Sequence, residues 1–143
     1  MKNSKGFSLL ELLIVVAIIL IIATIAIPSL LRSRQAANES AAVANLRTIN
    51  TAEVTYLSGS GGTFGTLDNL IAVKLLDDTF TGTKAGYDYD IELYDSNQGY
   101  TAHAVPASTN TGRYGYYSTP DAVIRYSEDA SLAPLGQTGR SVQ

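Results

Sequence analysis

The chain has 143 residues, 45% of them hydrophobic, with 10 Lys+Arg against 13 Asp+Glu and a net charge of −3. That length fits one compact domain at most, and the negative balance argues against a nucleic-acid binder, which needs cations facing phosphate. With no Cys, a disulfide framework, a thiolate zinc site and a cysteine nucleophile are excluded by count.

Residues 1–6 read MKNSKG, a short polar stretch with two lysines. An apolar run follows in which residues 12–23 hold no polar side chain and residues 12–31 no charge. Twenty residues at 1.5 Å each span about 30 Å, the thickness of a bilayer's hydrocarbon core. A cleaved secretory signal would end in small residues of the A-x-A kind. Here Pro28, Ser29, Leu30, Leu31 and Arg32 follow instead, with no break in helical character, so the apolar segment is expected to be retained. A plain membrane anchor is the simplest reading of such a segment.

Glu11 adds to that reading. It is the only charge between Phe7 and Leu31, and a carboxylate within a lipid-facing helix costs about 2.5–3.5 kcal/mol on insertion scales. A lone anchor has no use for it. Either Glu11 finds a partner inside the membrane or an assembly, or it reaches the headgroup region from near the helix end.

The stretch Lys5-Gly6-Phe7-Ser8-Leu9-Leu10-Glu11-Leu12-Leu13-Ile14-Val15-Val16 resembles the processing signature of type IV pilins and of the pseudopilins of type II secretion. The resemblance implies cleavage between Gly6 and Phe7 by a prepilin peptidase on the cytoplasmic face, then N-methylation of Phe7. It also implies a membrane-stored, single-pass precursor in the inner membrane with a cytoplasmic N-terminus. That precursor would become an extracellular or periplasmic helical filament of many copies, worked by an assembly ATPase and a platform protein. Lys2 and Lys5 against Arg32 and Arg34 leave the topology nearly tied on charge alone, so the orientation rests on the resemblance. Glycine at the scissile bond keeps an extended backbone accessible there. The new α-amino cation at Phe7 can neutralise Glu11 of a neighbouring copy, and similar pairing is proposed for the family. Pro28 matches a proline common in the family's transmembrane helix. Removing the first six residues takes Lys2 and Lys5 away and leaves 8 positive against 13 negative side chains, a net −5.

Between Arg32 and Leu57 the chain turns polar without Gly or Pro, which predicts one helix over residues 7–57. Val43, Leu46, Val54 and Leu57 form its expected core stripe. Pro28 should bend or loosen this helix without ending it. Ser58-Gly59-Ser60-Gly61-Gly62 should end it. A phosphate-cradling loop is disfavoured there, because no strand precedes these glycines and no Gly-Lys-Ser/Thr follows. The spacing of Leu67, Leu70, Ile71, Leu75 and Leu76 predicts a short second helix or turn, and Asp77-Asp78 with Gly82 a loop.

Period-two alternation in Tyr87, Tyr89, Ile91 and Leu93 against Asp88, Asp90 and Glu92 predicts a strand. Three more follow at residues 100–105, 113–117 and 122–126, separated by turn residues, giving an antiparallel meander. The fold class is therefore α+β: a leader at 1–6, a membrane-spanning helix at 7–31, an amphipathic helical half at 32–57 and a small head at 58–143. Order and class again resemble the pilins. So, less specifically, do Lys84-Ala85-Gly86-Tyr87 and the tyrosine-rich Arg113-Tyr114-Gly115-Tyr116-Tyr117. The family often pins a C-terminal loop with a disulfide, and this chain has to hold residues 127–143 otherwise or leave them mobile.

His103 is the only histidine, which rules out a multi-histidine metal site and leaves a catalytic base without an evident nucleophile. The oxygen-rich set Asp88, Asp90, Glu92, Asp95 and Asn97 permits calcium, but EF-hand spacing is missing, and a solvated strand face is the favoured reading. Nine tyrosines could serve adhesion or stacking, and several should be core residues. No cofactor, metal or catalytic residue is expected, and the isolated subunit is not expected to bind nucleic acid. The favoured function is a pilus-like filament subunit. Its rivals are a pseudopilin in a secretion piston, a membrane-anchored monomeric binding domain and, last, an enzyme, which lacks a nucleophile, base and orienter set.

Overall fold

A computed structural model describes residues 6–129 and 139–142. The element order is α1 (Leu9–Gly59), α2 (Leu67–Ala72), a 3-10 turn (Asp78–Thr81), then β1 (Tyr87–Tyr94), β2 (Gly99–Pro106), β3 (Gly115–Ser118), β4 (Ile124–Ser127) and β5 (Arg140–Ser141). This is the α+β, pilin-like arrangement that the sequence predicts. The chain divides between Ser33 and Arg34 into two compact units.

In the first unit α1 begins two residues later than Phe7, because Ser8 stands outside the helix as its cap. Helical structure continues through Pro28. The side chains of this stretch are exposed on every side, with only Ala23 half-buried.

In the second unit the five strands form one antiparallel sheet in the order β1-β2-β3-β4-β5. Along β1, Tyr87, Tyr89 and Ile91 are buried while Asp88, Asp90 and Glu92 are exposed, the alternation expected of a half-buried strand. The hairpin to β2 turns at Asp95, Ser96 and Asn97, all with positive φ. The ring of Tyr94 lies so close over Gly99 that a Cβ there would collide with it, so only glycine fits the start of β2. The fifth strand was not expected. Arg125 and Tyr126 of β4 pair with Ser141 and Arg140, and Gly139 N–H donates to the Tyr117 hydroxyl at 3.0 Å. Part of the C-terminal segment is thus held by strand pairing where a disulfide was unavailable, while residues 130–138 lie outside the described residues.

The core joins Ala42, Val43, Leu46, Ile49 and Ala52 of α1 to Leu67, Leu70, Phe80 and the inward residues of the sheet. One part of the expected stripe fails. Val54 is 58% exposed and Leu57 only half-buried. Burial instead follows Glu39, Ala42/Val43, Leu46, Ile49/Asn50 and Glu53. Val54 sits about 80° round the helix from Leu46, at the margin of the sheet, whereas Glu53 falls under it. Apolar character alone pointed to the wrong neighbour.

Polar side chains fix how the sheet lies on this part of α1. Gln35 Nε2 donates to the Thr109 carbonyl at 3.0 Å and Asn38 Nδ2 to the Thr111 carbonyl at 2.9 Å. Glu39 accepts from Arg113 three times: from backbone N–H at 2.9 Å, Nε at 3.0 Å and Nη2 at 2.8 Å. Asn45 Nδ2 donates to the Tyr89 hydroxyl, and Asn50 bridges Ser118 Oγ and the Tyr100 hydroxyl. Burial raises the Glu39 carboxyl's pKa, but the Arg113 hydrogen bonds and charge outweigh it and leave the pKa below the usual carboxylate range. Its contribution is therefore fully present above the ordinary value of 4.5 and is lost as pH falls through the lowered folded value.

Two outcomes follow from this packing. A chain starting at Arg34 should be soluble and give a folded, mixed helix–sheet circular dichroism spectrum; a disordered spectrum would show that the second unit does not stand by itself. Arg113→Ala should cost roughly 1–3 kcal/mol at pH 7, since it leaves Glu39 enclosed and unpaired. The deficit in thermal stability should shrink as pH falls from the ordinary value of 4.5 through the lowered folded value of Glu39.

Candidate functional site

Gly6, Phe7 and Ser8 precede α1 without helical structure, and all three are exposed. Among the described residues nothing beyond its chain neighbours lies within 4 Å of the place a Cβ on Gly6 would take. The Phe7 side chain is 84% exposed. Just beyond it the helix is capped from within the motif. Ser8 Oγ accepts the Leu10 N–H at 3.3 Å, and Glu11 Oε2 accepts the Ser8 N–H at 3.0 Å. Ser8 thus caps the helix through its second amide while Glu11, three residues on, reaches back to the Ser8 N–H, with the acid also placed where the helix dipole favours negative charge. Sequence reasoning missed this role of Glu11, although the Ser8 and Glu11 spacing is its signature. Oε1 of Glu11 has no partner among the described residues.

Gly6, Phe7 and Glu11 thus stand together, while Pro28 lies about four and a half turns further along α1. Pro28 offers no N–H to the Thr24 carbonyl. Hydroxyls bond back to the helix on either side of it, from Thr24 Oγ1 to the Ile21 carbonyl at 2.7 Å and from Ser33 Oγ to the Ser29 carbonyl at 3.0 Å. The apolar surface between is long and apolar enough to cross a membrane, and its exposure on all sides is untenable in water.

The head offers less. His103 is partly buried opposite Asp90 and Tyr117 in the sheet register; its Nε2 lies 3.6 Å from Glu92 Oε2 and makes no hydrogen bond. Asp88, Asp90 and Glu92 line the exposed face of β1, and among the described residues no three His, Asp or Glu side chains come together to hold a metal. Tyr87, Tyr89, Tyr100, Tyr116 and Tyr117 are core residues. Burial and neighbouring charge push the Tyr116 phenol up to about 12, so it stays neutral. The glycines after α1 form a turn, with Gly61 and Gly62 at positive φ.

A long N-terminal helix, apolar all round at its start and joined to an antiparallel sheet at its end, defines a pilin-like protein. The prokaryotic N-terminal methylation motif matches residues 1–27. The chain is 54% identical over 46 residues to the type IV wide pilus major component PilA4 of Thermus thermophilus, covering 32% of this chain and 35% of that protein. It is 44% identical over 56 residues to the type IV major pilin protein PilA of Myxococcus xanthus, covering 39% of this chain and 26% of that protein. The matches thus span about a third or less of the relatives' own lengths. No solved structure matches the chain. The likeness to type IV pilins thus lies in the N-terminal segment.

Proposed function

We propose that this chain is the structural, non-catalytic subunit of a type IV pilus-like filament, built from a membrane-stored precursor. The observation that carries this reading is the apolar surface of residues 9–31 of α1 with one carboxylate, Glu11, beside the Gly6–Phe7 junction. Residues 1–6 are a leader removed by a prepilin peptidase, and the new Phe7 amine is methylated. Residues 7–31 span the inner membrane with the N-terminus cytoplasmic, residues 32–57 continue the helix, and residues 58–143 form the head outside. Phe7, Glu11 and Pro28 serve assembly, which an ATPase and a platform protein drive. Both named relatives being pilus components favours this reading over a secretion pseudopilin.

Transfer from lipid to filament exchanges one apolar surrounding for another, so packing and polar contacts set the association rather than the hydrophobic effect. In the single chain Glu11 Oε2 holds the Ser8 N–H. Its other oxygen is available to the Phe7 ammonium of a neighbour, and that pairing sets the register between copies.

Mass spectrometry of the mature chain should show the loss of six residues and one methyl on Phe7; an intact Met1 would refute the processing. Glu11→Gln keeps an oxygen for the Ser8 N–H but removes the charge. It should insert into membranes normally, with incorporation into filaments reduced about tenfold or more, as expected for a lost charge-assisted bond of roughly 1.5–3 kcal/mol. Normal incorporation would sink the pairing role, while a membrane-insertion defect would locate the importance of Glu11 in its cap.

A further inference from the structure

Two glutamates of α1 are buried, and they are treated in opposite ways. Glu39 meets the Arg113 guanidinium. Glu53, with no exposed surface at all, meets no cation among the described residues. Its Oε2 accepts the Gly65 N–H at 3.0 Å, and its Oε1 is enclosed without a hydrogen-bond partner. The groups around it are neutral. From β2 comes Tyr100, whose hydroxyl donates to Asn50 Oδ1 and whose ring meets Phe64 edge-on at 4.8 Å. Burial above all holds the Tyr100 phenol well above its usual range, so it stays neutral. Asp121 is engaged by Arg125. On α1, Tyr56 lies against Gly65, where a Cβ would come within 3.0 Å of its ring.

An ionised carboxylate here would be an enclosed charge with one donor and no counter-ion, whereas a protonated one leaves only a neutral oxygen unsatisfied. The second costs far less. The segment closing over Glu53 is the connection between α1 and α2. Besides Gly65 it is tied to the β1–β2 turn by the Phe64 N–H to the Asn97 carbonyl at 2.9 Å and by Gln98 Nε2 to the Gly62 carbonyl at 3.1 Å. A short, glycine-containing connection of this kind can open locally and admit water.

We propose that Glu53 is a proton-operated latch: as the neutral acid it holds the α1–α2 connection closed through Gly65, and on ionising it opens that connection to hydrate its charge. Burial pushes its carboxyl up to about 7, against 4.5 when hydrated, with the Gly65 hydrogen bond opposing only in part. The closed state therefore binds the extra proton, so closure is favoured most at low pH and weakens as pH rises from about 4.5 to about 7. The proposal does not depend on the chain forming a filament.

Hydrogen exchange of the full chain in detergent micelles, corrected for intrinsic exchange, tests it on peptides covering residues 59–66. The opening constant of this segment should rise on the order of 50-fold between pH 5 and pH 8 and level off above about pH 7. Glu53→Gln should abolish that rise, and Glu39→Gln should not. A pH-independent segment in the native chain, or a rise that survives Glu53→Gln, would overturn the latch. Should Glu53→Gln fail to fold, carbon-13 resonances of the native chain decide. The Glu53 carboxyl and the Gly65 amide should titrate together near pH 7, and a carboxyl midpoint near 4.5 would overturn the proposal.

Discussion

An apolar surface that encircles a whole helix has to be covered by something other than water. From Phe7 to Leu31 this chain offers no polar face, and the only charge is Glu11 near the start. A helix polar on one side settles onto its own domain, but one apolar all round is left with lipid or with like helices. Storage in a membrane and packing among copies both satisfy that constraint, so the proposed precursor and filament make the same demand on this stretch.

Glu11 shows how one side chain can answer two demands. The caps made by Ser8 and Glu11 satisfy two backbone donors at the exposed start of α1, where unpaired N–H groups would be costly in lipid. Because a carboxylate accepts more than one donor, the cap leaves capacity for a cation from another molecule. A neutral or shorter residue would meet at most one of these needs.

The head is specified by polar contacts as much as by burial. Gln35, Asn38, Glu39, Asn45 and Asn50 contact the sheet or its loops along about four turns of the helix. Burial without a partner is costly for such groups, so each accepts only one alignment of sheet on helix. Glu39 and Glu53 mark the extremes, one matched by a guanidinium and the other enclosed among neutral groups.

Local pattern was enough for much of this. The twenty-residue apolar span, the Gly6–Phe7–Glu11 spacing, the glycine stop after α1 and the period-two alternation of β1 each depend on neighbours in sequence, so they were legible there. The Ser8 and Glu11 spacing carries the helix cap as well. The burial of Glu53 in place of Val54, the clamp of Arg113 on Glu39 and the pairing of Arg140–Ser141 with β4 were not legible there. Each joins residues a dozen or more apart, and which of them meet depends on how the sheet seats on the helix, a property of packing that no window of sequence contains.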